Sequence, residues 1–280
     1  MGNLYGLIGS PVEQSMSPDI HNDAFRALQL EHYYQAFHVL PTNLEEAVRA
    51  LKLLNIKGFN VTIPHKLSII PLLDELDESA QIAGAVNTVV HLNGRLIGYN
   101  TDGNGYVSSL KSIINKPLKD QKILIIGAGG AARGIYFTLT NQGSMHIDFC
   151  NRTVSKAEEL IKECPFPNKS HAFGISQAEQ QLADYDIIIQ TTAVGMYPNR
   201  NEKPMSLRQA KRGAVVSDII YNPIHTAFLE EAKELGLVVH NGVGMFVHQA
   251  ALAFELWTNQ VPSIERMSKI VINKLGGTTC

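Results

Sequence analysis

A lysine and an aspartate, each set among asparagines and threonines, are the residues of this chain best suited to moving a proton. Lys66 closes the run Gly58–Lys66 (GFNVTIPHK), which also holds Asn60 and Thr62, and Asp102 sits in Asn100–Gly103 (NTDG). Either residue type can serve acid–base chemistry, an ammonium by giving up a proton and a carboxylate by taking one. Asn87, in Ala85–Thr88 (AVNT), adds an amide. Ser15 and Ser17, in Ser15-Met16-Ser17-Pro18, place two hydroxyls beside the start of a helix, a cradle for a carboxylate. Taken singly, each has a plainer reading: Ser17 as an N-cap, Asp102 as a helix cap, Lys66 as a loop lysine.

A second constellation follows. Ile125–Ala132 (IIGAGGAA) runs from a strand through glycines into a helix, the context a dinucleotide-binding G-x-G-x-x-A motif needs. Gly127 permits the tight turn, Gly129 lets backbone approach a pyrophosphate, and Ala132 allows close helix–strand packing. Ala128, Gly130 and Ala131 complete the turn, whose free N–H groups favour an anion. About 20 residues beyond such glycines an NAD enzyme usually carries a carboxylate for the ribose hydroxyls. Here Asn151, Arg152 and Thr153 occupy that place, with Lys156 one turn on. Two cations and a hydroxyl suit a 2′-phosphate, so the expected cofactor is NADP. The bland alternative for Arg152 and Lys156 is a solvated loop and helix face.

The elements that must position these residues alternate between short apolar runs and helix-period segments, so an α/β fold with mainly parallel sheets is expected. Strands are expected at Leu4–Gly9, Tyr33–His38 and Gly58–Ile63, the last stopped by Pro64. The first helix opens at Ser17-Pro18, with Ser as N-cap and Pro at the first helical position; a second ends near Leu54. Thr88–Leu92 and Arg95–Asn100 flank Asn93-Gly94, a type I′ hairpin signal, and a helix follows from Asp102. A second series has strands at Lys122–Ile126, Met145–Cys150, Asp186–Gln190, Ala214–Ile219 and Leu237–His240, with helices at Ala131–Gln142 and Ser155–Glu163 and another between the last two strands. Helices at Gly244–Thr258 and Ser263–Leu275 have no strand left to pair. The expected domains are 1–105 with 241–280, binding substrate, and 106–240, a Rossmann domain. The active site is expected between them, with hinges near 101–106 and 240.

A chain of 280 residues with 45% apolar and 18% charged residues is an ordinary globular composition, and a net charge of −2 gives no electrostatic argument for binding nucleic acid or an anionic membrane, neither of which is expected as a partner. No stretch approaches the roughly 20 apolar residues that cross a bilayer, and the start has no signal-peptide pattern. Cys150, Cys164 and Cys280 are odd in number and lack CxxC spacing, so neither a disulfide framework nor a zinc site is expected. Cys150, in a strand, reads as core. The histidines show no metal spacing. The reading is a cytoplasmic protein with no metal, acting on a small molecule; a monomer and a homodimer both remain open.

Taken together, Ser15–Asn22 (SMSPDIHN), Asn60–Lys66 (NVTIPHK), Gly84–Thr88 (GAVNT), Asn100–Gly103 (NTDG), Gly127–Gly134 (GAGGAARG), Asn151–Thr153 (NRT) and Gly242–Gln249 (GVGMFVHQ) closely resemble the shikimate dehydrogenase family over nearly the whole chain. The resemblance implies NADPH-dependent reduction of 3-dehydroshikimate to shikimate, with Lys66 and Asp102 as the catalytic pair. It implies that Ser15 and Ser17 hold the substrate carboxylate, and that Asn60, Thr62, Asn87, Asp102 and Gln249 bond the ring hydroxyls, with Tyr221 nearby. It also implies that Thr191, Thr192 and Ala193 line the dinucleotide path with Ile219, and that Gly242 and Met245 face the nicotinamide. Ala193 stands where relatives often have Ser. The rivals are a quinate/shikimate dehydrogenase using NAD, a folate-linked dehydrogenase of similar architecture, and a non-catalytic sensor of NADP and a ligand. Asn151-Arg152-Thr153 and the paired serines speak against the first. Ser15, Ser17, Lys66 and Asp102 together are unexplained by the second, and the Lys66–Asp102 pair by the third.

Overall fold

The structure, a computed structural model, describes residues Gly2–Gly276; Cys280 lies outside them. The described residues form two compact units, one taking the chain up to Asp102 together with Val247–Lys274, the other Gly103–Phe246.

The first unit opens with β1 (Leu4–Gly9), α1 (Ser17–Ala27), β2 (Tyr33–His38), α2 (Leu44–Leu53) and β3 (Gly58–Val61). β4 (Glu75–Leu76), α3 (Glu78–Ala83), β5 (Thr88–Leu92) and β6 (Arg95–Tyr99) follow. The sheet order is β2-β1-β3-β5-β6-β4. β1 runs parallel to β2 and β3, and β4 to β6, while β5 is antiparallel to both its neighbours. The β5–β6 turn places Asn93 and Gly94 at φ 52 and 78, as a type I′ turn requires. α2 presents Leu44, Val48 and Leu51 to a core with Ile8, Phe59 and Val61, each worth roughly 1.5–3 kcal/mol when fully buried.

α4 (Asp102–Lys111) leads into the second unit. There β7 (Ile123–Ile126), α5 (Gly130–Asn141), β8 (Ile147–Cys150), α6 (Val154–Lys162), β9 (Ala172–Phe173) and α7 (Ile175–Gln180) come first. β10 (Ile187–Gln190), β11 (Val215–Asp218), α8 (Ala227–Glu234) and β12 (Val238–His240) complete it. All pairs are parallel, in the order β12-β11-β10-β7-β8-β9. Strands buried on both faces read as unbroken apolar runs, as Ile123–Ile126 and Ile187–Ile189 do. Chain order reverses between β7 and β10, so the crevice at their carboxyl ends is the switch point where such sheets bind ligands. Cys150 is fully buried, and burial pushes its thiol up to about 12, so it is core.

α9 (Gly242–Thr258) starts in the second unit and ends in the first, which α10 (Ile264–Lys274) also joins. In the first unit, Trp257 Nε1 donates to Val89 O at 3.0 Å. A side chain on Gly58 would collide with the Trp257 ring, so glycine there sets the fit of strand on helix. Arg266 pairs with Asp23 and Lys274 with Asp19, both on α1.

Several local expectations are corrected. Met16, not Ser17, is the N-cap of α1, without a side-chain bond; Ser17 and Pro18 are its first two residues. The Ser17 N–H is met instead by Ser15 Oγ at 3.3 Å. β3 ends at Val61, two residues before the expected stop. α5, α6 and α9 begin one or two residues early and β8 two residues late. β4, α3, β9 and α7 had no periodic signal, being too short to show one. α3 exists because Asp77 caps it, accepting from Ser79 N–H at 2.9 Å, and Gly84 ends it at φ 64.

Candidate active site

In the first unit, strand register brings distant residues together. Ile8 pairs with Val61, Asn60 with Thr88, and Thr88 with Tyr99. The carboxyl ends of β1, β3 and β6 therefore lie beside the amino end of β5. Asn87 precedes β5, and the antiparallel sense of β5 brings it there.

Lys66 Nζ donates to Asp102 Oδ2 at 2.6 Å, both side chains about a quarter to a third exposed. Asn87 Nδ2 donates to the other oxygen, Asp102 Oδ1, at 2.9 Å and to Thr101 Oγ1 at 2.9 Å. Asn87 Oδ1 accepts from Thr88 Oγ1 at 2.9 Å and from Thr101 N–H at 2.8 Å. The backbone of Lys66 is fixed as well, its carbonyl accepting from Val86 N–H at 2.9 Å. Asp102 is the first residue of α4, and its N–H is met by Asn100 Oδ1 at 3.0 Å. The carboxylate is thereby left for Lys66 and for a ligand.

Asn60 is buried and spends both amide hydrogens inside the protein, on Asn87 O at 3.2 Å and Thr88 Oγ1 at 3.0 Å. Its Oδ1 accepts from Tyr34 OH at 2.7 Å. Tyr34, which sequence reading missed, also bonds Ser17, and burial pushes its phenol well above the ordinary value. A polar chain thus runs Ser17–Tyr34–Asn60–Asn87–Asp102–Lys66. The one sequence signal for Tyr34 was the alternation of β2, which puts it opposite exposed Tyr33. His21 stacks on Tyr34 with ring centroids 4.4 Å apart, and burial drives its imidazole down to about 3. Thr62 is half-buried just past β3, with no side-chain bond to this chain of residues. Gln249 is half-buried on α9.

The second unit holds a pocket of about 270 Å³ lined by Gly127, Ala128, Gly129, Asn151, Arg152, Thr153, Lys156, Thr191 and Thr192. Gly127 takes φ 110, and a Cβ on it would lie 2.7 Å from Thr191 Oγ1 and 2.8 Å from Thr192 Cγ2. Beyond Gly129 itself and its two neighbours in the chain, nothing comes within 4 Å of the place a Cβ would take there. The backbone is therefore bare where a pyrophosphate would approach, and α5 points its N-terminus there. Asn151 Nδ2 donates to Thr153 O at 2.7 Å, holding the turn that exposes Arg152, and among the described residues neither Arg152 nor Lys156 is in an ion pair. This donor set fits a dinucleotide carrying a 2′-phosphate.

Thr191 is spent on structure, its hydroxyl donating to Ile126 O at 2.7 Å. Gln190, unflagged by sequence, shapes the following loop: Oε1 accepts Thr192 N–H at 2.8 Å and Nε2 donates to Val194 O at 2.9 Å. Gly130 and Ala131 form the first turn of α5, and Ala193 is exposed; none of the three lines the pocket. A side chain on Gly242 would collide with the Ile219 carbonyl, so these two backbones must touch. Met245 is half-buried on α9. Tyr221 is 37% exposed and faces Phe246 at 5.1 Å. Among the described residues there is no cluster that could hold a metal, and no helix long and apolar enough to cross a membrane.

Comparison with known proteins places relatives beside this geometry. A family model described as shikimate dehydrogenase substrate binding domain matches residues 7–89. One described as shikimate / quinate 5-dehydrogenase matches 109–226, and one as shikimate 5′-dehydrogenase C-terminal domain matches 242–272. A shikimate dehydrogenase (NADP(+)) from Geobacillus sp. (strain WCH70) is 54% identical over 277 residues, 99% of this chain and 100% of the relative. A solved shikimate dehydrogenase in complex with NADP+ is 43% identical with a TM-score of 0.89, covering 98% of this chain and 96% of that one. The shikimate 5-dehydrogenase of Thermus thermophilus, solved with NADP(H) and shikimate, is 32% identical with a TM-score of 0.86, covering 97% and 99%.

Proposed function

The chain belongs to the shikimate dehydrogenase family, and on that premise we propose that Lys66 and Asp102 are its catalytic pair. It is an NADP-dependent oxidoreductase that reversibly reduces 3-dehydroshikimate to shikimate, a step toward chorismate and the aromatic amino acids. The observation that carries the site is the 2.6 Å contact of Lys66 Nζ with an Asp102 carboxylate whose other oxygen is held by Asn87 at 2.9 Å.

Bound NADPH supplies the hydride. As the ketone carbon receives it, the carbonyl oxygen gains charge and needs a proton. Lys66 Nζ, as an ammonium, gives that proton to the oxygen, and Asp102 Oδ2 aims the ammonium. In oxidation Lys66 takes the hydroxyl proton back. Ser15 and Ser17 hold the carboxylate of the substrate, while Asn60, Thr62, Asn87, Asp102 and Gln249 serve the ring hydroxyls, with Tyr221 nearby. Asn60 has spent both amide hydrogens, so it meets a hydroxyl only as an acceptor; Asn87 has filled its amide and its oxygen alike, and serves the ring hydroxyls by holding Asp102. For the cofactor, Gly127, Ala128 and Gly129 frame the pyrophosphate, backed by Gly130 and Ala131 in the first turn of α5, and Asn151, Arg152, Thr153 and Lys156 hold the 2′-phosphate. Thr191, Thr192, Ala193, Ile219, Gly242 and Met245 border the nicotinamide half. We read the protein as a cytoplasmic monomer or homodimer; Cys150 and Cys164 are free thiols, in keeping with a reducing compartment.

Initial rates with shikimate or quinate, each paired with NADP+ or NAD+, test this reading. A kcat/KM at least about tenfold higher for shikimate with NADP+, roughly 1.4 kcal/mol, is the expected result. Equal turnover of quinate with NAD+ would overturn the substrate and cofactor assignment.

A further inference from the structure

Three side chains beside β1 and β2 form a relay that the reaction does not use. Ser10 Oγ lies 2.8 Å from His38 Nε2, and His38 Nδ1 lies 2.9 Å from Glu13 Oε1. The order hydroxyl, imidazole, carboxylate is that of acyl-transfer enzymes. The backbone rules that chemistry out. Ser10 N–H already donates to Ile63 O at 3.0 Å, and the next residue, Pro11, has no N–H. No backbone donor is left at Ser10 for an oxyanion, usually the largest contribution to such catalysis.

What the relay does hold is residues 10–14, a stretch with neither helix nor strand that delivers Ser15. Its internal ties are few: Ser15 N–H donates to Val12 O at 3.0 Å, and Val12 N–H to Glu13 Oε2 at 3.1 Å. One edge lies on the candidate site, since a side chain on Gly9 would collide with the Thr62 methyl. Backbone N–H groups, its own first, and His38 keep the Glu13 carboxyl below its ordinary value, so it remains an acceptor. His38, at the carboxyl end of β2, grips both ends of the stretch, Ser10 on one ring nitrogen and Glu13 on the other.

We propose that His38 is a positioning residue for substrate: through Ser10 and Glu13 it fixes the segment that presents the Ser15 hydroxyl to the substrate carboxylate. This rests on the reading that Ser15 holds that carboxylate. It touches neither the reacting atoms nor the dinucleotide, so its loss should weaken binding of shikimate and leave the rest of the reaction alone.

The test is a double-mutant cycle with His38→Ala, Ser15→Ala and the pair, measuring KM for shikimate and for NADP+, kcat, and thermal melting. His38→Ala is expected to raise KM for shikimate roughly three- to tenfold, the range of one or two exposed hydrogen bonds. KM for NADP+, kcat and the melting temperature should stay put. In the Ser15→Ala background the same change should add almost nothing, because residues acting through one contact are not additive. His38→Gln, which keeps a partner for Ser10, should fall between wild type and His38→Ala. If His38→Ala leaves KM for shikimate within about twofold while Ser15→Ala raises it, the proposal fails and the carboxylate reading stands. If neither moves it, both fail. Additive effects, or a loss confined to kcat, also overturn the role of His38.

Discussion

Asn87 holds Asp102 by one oxygen, donating to Oδ1 at 2.9 Å, and so leaves Oδ2 to Lys66 at 2.6 Å. The carboxylate is not free to rotate between two functions. One oxygen is anchored to a buried amide with every hydrogen bond filled, and the other faces the ammonium.

Lys66→Ala removes the proposed proton donor. The reductive kcat should fall by two to four orders of magnitude, about the range of general acid catalysis. Single-turnover rates with saturating NADPH would measure it, and a loss under about tenfold would end the assignment.

Asn87→Ala leaves the Asp102 carboxylate without its anchor and Thr101 N–H without an acceptor. Removing one partner of a buried bond costs about 1–3 kcal/mol. kcat/KM for shikimate should therefore drop, with KM for NADP+ unchanged. Steady-state kinetics decide it; an unchanged kcat/KM would mean that Asp102 orients itself.

Arg152→Ala should lower the preference for NADP+ over NAD+. A charge-assisted bond to a phosphate is worth roughly 1.5–3 kcal/mol, so the ratio of kcat/KM values should fall by one to two powers of ten. Turnover with NAD+ should hardly change. A preserved ratio would shift the 2′-phosphate to other residues.

Gly242→Ala forces a methyl against the Ile219 carbonyl, a backbone group that cannot swing aside. Overpacking of this kind costs about 1–3 kcal/mol. Urea unfolding should show the midpoint falling, whatever happens to activity, and an unshifted midpoint would show the two backbones able to part.

His21 gives the protein an acid limb. It is neutral in the fold, with its value driven down to about 3 by burial, while the unfolded chain titrates near the ordinary value of 6.5. The unfolded state therefore binds the extra proton first. Stability is full above the unfolded value and is lost as pH falls through the window down to about 3. Each pH unit inside that window costs about 1.4 kcal/mol. Unfolding free energies at neutral and mildly acidic pH should diverge for wild type and converge for His21→Phe; equal slopes would mean other groups dominate.

The sequence by itself determined what depends on neighbours along the chain. The glycine turn at Gly127–Gly129 followed by α5, the Asn93-Gly94 hairpin and the buried runs of β7 and β10 are local matters of φ, chirality and apolar period, so they were legible. So was the absence of a carboxylate at Asn151–Thr153. What only the tertiary structure decided are pairings across long separations. The antiparallel sense of β5 puts Asn87 beside Asp102, and Tyr34 links Ser17 to Asn60. Gln190 shapes the loop after β10, and His38 joins Ser10 to Glu13. No residue type announces such partners, because a hydrogen bond depends on where the sheet register brings two groups, and register belongs to the folded chain as a whole.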